Sequence, residues 1–160
     1  MGTGFEFKCK NCNYKLSVNL GIGFRYPYLC NSILDDMKSG KMGKDFQEKA
    51  NNIKNPAVYV LRDLYLCENC GDLRPELTIA LCSPINAPRE SDAPFSSVCE
   101  CLEFDTYVMD YMLGTEYKKE LVNEYHCKKC KTKMKKLTSY KKLKCPQCQN
   151  LLSYSKYFWD

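Results

Sequence analysis

Eight of the twelve cysteines in this 160-residue chain fall in Cys-x-x-Cys pairs, Cys9/Cys12, Cys67/Cys70, Cys127/Cys130 and Cys145/Cys148. Two thiolates three positions apart on a tight turn can grip one metal ion at ~2.3 Å each, and a second pair closes a tetrahedron with no position left for substrate. Four pairs therefore supply two closed four-cysteine sites, with Zn2+ as the expected occupant and iron, which the same geometry accepts, as the lesser alternative. Sites of this kind build structure rather than carry out chemistry. Six disulfides in an exported protein would be the other use of twelve cysteines. The opening Met1-Gly2-Thr3-Gly4-Phe5-Glu6-Phe7-Lys8 lacks the pattern of a signal peptide, so metal binding in a reducing, cytoplasmic setting is expected. Glu6 stands where a myristoylation signal needs Ser or Thr, and no apolar run approaches ~18 residues, which argues against an anchor or a membrane span.

Spacing suggests how the pairs combine. Only 14 residues separate Cys130 from Cys145, against 54 between Cys12 and Cys67. Fourteen suffice for the hairpin of a compact ribbon, so Cys127, Cys130, Cys145 and Cys148 read as one site, and Cys9, Cys12, Cys67 and Cys70 as the other. Spacing leaves an interleaved arrangement open. A core this small cannot sustain two independent units, and structural zinc, with apparent binding free energies of ~10 to 16 kcal/mol, would supply much of the folding free energy.

The elements that must position these thiols follow from periodicity. Leu29, Ile33 and Met37 recur at helical spacing around the capping-box-like Ser32-Ile33-Leu34-Asp35, and Gly40 interrupts. Phe46, Ala50 and Ile53 mark a second short helix that Asn55-Pro56 stops, giving a helical insertion over about residues 28–55. Val58 to Leu66 should be extended where it enters the second turn, and Leu77, Ile79 and Leu81 alternate as a strand leaving it. Three prolines across residues 83–94 suggest a linker at residues 87–97. Residues 98–126 are acidic and tyrosine-rich, ending in a strand through Leu121, Asn123 and Tyr125, and residues 151–159 form a closing strand whose aromatic end should dock. The expected fold is α+β, with two zinc-ribbon β units bearing rubredoxin-like knuckles. The first, residues 1–86, carries the helical insertion, and the second spans residues 98–160.

Charge is unevenly placed. The net +5 divides into +2 over residues 1–90, −6 over 91–126 and +9 over 127–160. Two filled four-cysteine sites, at −2 each, would bring the molecule to about +1 and leave only the last segment strongly basic. Lys128, Lys129, Lys131, Lys133, Lys135, Lys136, Lys141, Lys142 and Lys144 fall there, interleaved with Tyr140. On a hairpin they would form a face for phosphate backbones, with Tyr140 free to stack on a base. The competing explanations are a solvated loop and neutralisation by the acidic segment. His126, the single histidine, is expected beside a site rather than in it. Cys30, Cys82, Cys99 and Cys101 are read as buried thiols rather than a third site, and residues 21–27 as turn chemistry rather than a phosphate loop.

The first ribbon, through Cys9-Lys10-Asn11-Cys12, Gly21-Ile22-Gly23-Phe24-Arg25-Tyr26-Pro27, Met37-Lys38-Ser39-Gly40-Lys41-Met42-Gly43 and Cys67-Glu68-Asn69-Cys70-Gly71, resembles a group of small bacterial proteins with two four-cysteine zinc ribbons and no established activity. The second ribbon and the ending Phe158-Trp159-Asp160 are similar to that group too. The resemblance implies fold and metal, and its pattern does not include the four remaining cysteines. The expected function is a non-catalytic zinc-ribbon binding protein that contacts nucleic acid through its lysine-rich hairpin. A protein-interaction or adaptor module with purely structural zinc is the alternative. A rubredoxin-like iron carrier is a third reading, although Asn13, Lys131 and Gln149 stand where such knuckles place glycine. No nucleophile–base motif, open metal position or paired acidic motif points to an enzyme or a small-molecule substrate.

Overall fold

The computed structural model describes residues 2–21, 26–86 and 107–159. Among them are two α-helices and seven strands in two sheets. The elements run β1 (Gly2–Cys9), β2 (Lys15–Leu20), α1 (Tyr26–Lys38), α2 (Lys44–Asn52), β3 (Ala57–Leu66), β4 (Leu73–Pro84), a short 3-10 turn (Asp110–Met112), β5 (Tyr117–Val122), β6 (Lys135–Lys136) and β7 (Leu152–Trp159). No helix among the described residues is long and apolar enough to cross a membrane.

The chain forms two compact units, and neither is a continuous stretch. One gathers residues 1–24, 61–77 and 124–160, and the other residues 25–60 and 78–123. The sequential division at residues 86 and 98 is therefore replaced by a nested one. Its physical cause is strand pairing: β1 lies antiparallel between β2 and β7, with Phe5 opposite Lys156 and Cys9 opposite Leu152. Residues at the two ends of the sequence thus share a sheet, and the expected linker over 87–97 lies outside the described residues.

In the first unit, alternation along β1 and β2 sets the core. Phe5, Phe7, Cys9, Val18 and Leu20 face inward and are buried with Leu64, Leu73, Leu143, Cys145 and Leu152. A second cluster joins Tyr65, Cys67, Cys127 and Met134, with Tyr125 alongside. The tyrosine rings are 5.1 Å apart and edge to face. Paired backbone bonds between Gly21 and Arg62 (2.9 and 3.1 Å) join the end of β2 to β3, and β6 pairs with β3 through Tyr65↔Lys136 and Leu66↔Lys135. Residues 131–144 therefore do not form a self-contained hairpin. Their central strand is added to β3, because Leu64 and Tyr65 offer a buried edge that a free lysine hairpin would lack.

In the second unit, α1 and α2 carry buried Cys30, Leu34, Met37 and Ala50. Ser32 sits inside α1 rather than at its start, its hydroxyl bonded to the Leu29 carbonyl at 3.0 Å. The β3 run Ala57-Val58-Tyr59-Val60 is buried throughout, as a strand covered on both faces requires. Here β4 pairs with β5, with a bulge between Leu81 and Cys82. β5 ends at Val122, so the strand expected through Asn123 and Tyr125 starts and stops earlier. Cys30 and Cys82 are fully buried thiols, pushed up by that burial to about 12 and about 11. Cys99 and Cys101 lie outside the described residues.

Candidate metal centres

All eight paired cysteines are brought together, in a combination that spacing did not favour. Cys9, Cys12, Cys145 and Cys148 form one cluster and Cys67, Cys70, Cys127 and Cys130 the other, the sulfurs within each lying inside 4.8 Å of one another. Both clusters belong to the first unit. The arrangement is neither sequential nor interleaved but nested, because pairing of β1 with β7 carries Cys9 to the start of β7, immediately after the Cys145–Cys148 turn. The shortest loop between pairs does not decide the partners.

The four turns share one backbone design. In each, the first cysteine's N–H reaches the carbonyl five residues on: Cys9 to Tyr14 (3.0 Å), Cys67 to Asp72 (2.9 Å), Cys127 to Thr132 (2.8 Å) and Cys145 to Asn150 (2.7 Å). In three of them the residue after the second cysteine also donates to the first cysteine's carbonyl, from Gly71, Lys131 and Gln149. Those residues have φ of 72°, 62° and 62°, the left-handed region. Glycine enters it freely, whereas Lys131 and Gln149 do so against their Cβ atoms. The sequence departs from a glycine rule here, yet the backbone keeps the shape the rule encodes.

Sulfur spacing in each cluster could hold a metal ion and is too wide for disulfides. Cys9 and Cys148 Sγ are 3.4 Å apart, Cys12 and Cys145 3.6 Å, Cys67 and Cys130 3.3 Å, Cys70 and Cys127 3.5 Å, and Cys70 and Cys130 3.8 Å. A tetrahedron with ~2.3 Å metal–sulfur bonds has edges of about 3.8 Å, whereas a disulfide needs ~2.05 Å. Backbone N–H groups of Asn11 and Gln147 point at Cys9 and Cys145 Sγ, each at 3.4 Å, in the manner of donors to thiolate.

The sulfurs of each cluster are pulled in opposite directions. Cys130 is drawn down to about 5 by the Thr132 hydroxyl and the Asn69 side chain, and Cys148 to about 6 by the Asn150 backbone and amide. Cys12 and Cys70 go the other way, to about 12. The N–H groups of Tyr14 and Asp72 pull them down, but burial and the facing sulfurs outweigh that. Sulfurs crowded this closely repel one another as thiolates, and a cation held among them would relieve that repulsion. In every pair the first sulfur is buried and the second partly exposed.

Around the Cys67 cluster, Asp72 accepts from Arg74 at 2.5 Å and Lys129 at 2.8 Å. Burial raises the Asp72 carboxyl, but those two cations outweigh it and hold the group below the usual range. A Cβ on Gly71 would lie 3.7 Å from Pro146 Cα and from Gln149 Nε2, so the turns of the two clusters abut. His126 is exposed and its backbone bridges to Lys133, while the neighbouring cluster holds four sulfurs without it.

The lysines separate into two groups. Lys129, Lys133, Lys135 and Lys136 are paired with Asp72, Glu124, Glu68 and Asp63. Lys128, Lys131, Lys141, Lys142 and Lys144 are exposed and have no ion-pair partner among the described residues. Tyr140 is not free to stack on a base, because its half-buried ring lies 4.6 Å from Phe5 and 5.9 Å from Phe7. The Phe-x-Phe of β1 was the available signal, since two inward rings need an aromatic cover. Comparison with protein-family models, with curated proteins and with solved structures gives no match.

Proposed function

We propose that the first unit is a double zinc-ribbon module in which two Zn2+ ions replace the interior that so small a unit lacks. The chain then works as a non-catalytic binding protein that contacts nucleic acid. All-thiolate donors in a reducing compartment suit zinc, and with four sulfurs at each ion no corner is left for substrate. The eight cysteines would hold the ions, and the cations beside Asp72 would offset part of their −2 charge.

The observation that carries the nucleic-acid reading is the division among the lysines. After internal pairing, Lys128, Lys131, Lys141, Lys142 and Lys144 still face solvent. Lysines without arginine hold phosphates while giving little base discrimination, so backbone binding with weak sequence preference is the expected mode.

The test is salt dependence. Metal-loaded protein should bind oligonucleotides with log affinity falling linearly in log salt. Replacing Lys141, Lys142 and Lys144 with Ala should flatten that slope by ~0.7 to 0.9 for each phosphate that is no longer neutralised. Lys135→Ala, already paired with Glu68, should change it little. Affinity indifferent to salt and to the triple replacement would refute the reading. Metal analysis of the same material distinguishes colourless zinc protein from the iron alternative.

A further inference from the structure

The outward face of the β2–β1–β7 sheet is polar and aromatic. Alternation places Gly2, Gly4, Glu6 and Lys8 of β1 on it, with Lys15, Ser17 and Asn19 of β2 and Ser153, Ser155, Tyr157 and Trp159 of β7. No aliphatic side chain is present, so the face is not an apolar docking surface. Two rings dominate it. A Cβ on Gly4 would fall 2.1 Å from the Tyr157 ring, and one on Gly2 would fall 2.4 Å from the Trp159 ring. Each ring therefore occupies the space above a glycine of β1.

Both rings reach fully across β1. Tyr157 Oη donates to Asn19 Oδ1 at 2.8 Å and lies 3.1 Å from Ser17 Oγ, and Trp159 Nε1 donates to the Leu20 carbonyl at 3.1 Å. A side chain that starts on one edge strand and bonds the other must lie along the sheet rather than stand from it. With their polar atoms engaged by β2, what these rings present to solvent is π surface. They stand two residues apart on one strand, about 6.8 Å. That interval admits one unstacked base on each ring. Ser17, Asn19, Ser153 and Ser155 are exposed polar side chains around the rings, Ser17 and Asn19 already bonding Tyr157 Oη and Ser153 donating to the Lys8 carbonyl. Glu6, the one acid on the face, is paired with Lys8 at 2.7 Å, which leaves Lys15 as net positive charge.

We propose that this face is a stacking platform for single-stranded nucleic acid, with Tyr157 and Trp159 each holding one base and Lys15 a phosphate. The proposal rests on the nucleic-acid reading above and deepens it: the lysines supply backbone affinity, and the two rings select unpaired strands. Sheet-borne aromatics can stack bases in this way because every base has a π face, which makes the interaction tolerant of sequence.

Trp159 is the chain's single tryptophan and so its own reporter. Full-length, zinc-loaded protein is titrated with oligothymidylate, with oligouridylate and with a duplex of equal length, each carrying a fluorophore. Anisotropy reads binding, and Trp159 emission reads stacking. The expected result is quenching of Trp159 by the single strands and not by the duplex. Tyr157→Leu, which keeps an apolar cover over Gly4, should weaken single-strand binding about 5- to 100-fold and leave duplex binding unchanged. Circular dichroism and metal content establish that the variant is folded. Binding by anisotropy without quenching, and unaltered in Tyr157→Leu, would overturn the platform and leave the lysine reading standing. No binding of any probe would overturn both.

Discussion

Exchanging ligand sets tests the nested pairing more directly than removing single cysteines. If Cys9, Cys12, Cys145 and Cys148 are all changed to Ser, the cluster of Cys67, Cys70, Cys127 and Cys130 keeps its four sulfurs and its own core of Tyr65, Met134 and Tyr125. That variant should bind one equivalent of Zn2+ and, with Co2+, give the spectrum of a tetrahedral all-thiolate site. If Cys9, Cys12, Cys67 and Cys70 are changed instead, both clusters lose half their ligands and no such site should remain. Sequential pairing predicts the reverse. The magnitude follows from the loops closed: the two pairs of the first cluster are 133 residues apart at Cys12 and Cys145, those of the second 57 at Cys70 and Cys127. Treated as cross-links, they restrict the unfolded chain by about 5 and about 4 kcal/mol. Losing the first cluster should therefore cost an amount comparable to the whole net stability of an ordinary domain, ~5 to 15 kcal/mol. The sheet of β1, β2 and β7 should melt while the second cluster stays loaded. A quadruple variant lacking Cys9, Cys12, Cys67 and Cys70 that still binds one all-thiolate metal would refute the pairing.

Further outcomes can be measured on the same protein. Gly4→Ala drives a Cβ into the Tyr157 ring and should destabilise the zinc-loaded protein by about 1 to 3 kcal/mol. In a double-mutant cycle by denaturant melting, Tyr157→Ala should remove most of that cost, and full additivity would show the ring is not the obstacle. Lys131→Gly and Gln149→Gly relieve left-handed residues and should be neutral to stabilising by about 1 kcal/mol, whereas Gly71→Ala at φ 72° should cost about 1 to 2 kcal/mol although its Cβ meets no clash. Glu120 accepts from Ser83 at 2.6 Å and Lys118 at 3.0 Å, and these bonds hold its carboxyl below the usual value. Its contribution is then complete above the unfolded value near pH ~4.3 and disappears as pH falls through the lower folded value. Glu120→Gln should remove that acid-side slope for about 0.5 kcal/mol at neutral pH, as read by pH-dependent melting.

How legible each feature was depends on how local its cause is. The Cys-x-x-Cys turns could be read at once because ligand spacing and turn geometry sit within six residues. Both helices could be read from Leu29, Ile33, Met37, Phe46 and Ala50. The partners of each turn could not, because they are set by β1 lying against β7, an association between Gly2–Cys9 and Leu152–Trp159 that no spacing encodes. The discontinuous units follow from the same pairing. Tyr140 was misplaced because a tyrosine among lysines suggests an exposed ring, whereas Phe5 and Phe7 claim it. Gly2 and Gly4 left a trace as Gly-x-Gly in an extended stretch, but the rings that need their missing Cβ atoms lie at the far end of the chain, on Tyr157 and Trp159.

The nested clusters also impose an order of events during synthesis. Cys9 and Cys12 leave the ribosome long before Cys145 and Cys148, and at ~5 to 20 residues per second the 133 residues between Cys12 and Cys145 take about 7 to 27 s. Meanwhile Cys67 and Cys70 emerge with no native partner, so a nascent chain can chelate an ion through the wrong two turns. In a metal-loaded chain, native pairing would then require thiolate exchange at the partly exposed second sulfurs once Cys127, Cys130, Cys145 and Cys148 have emerged.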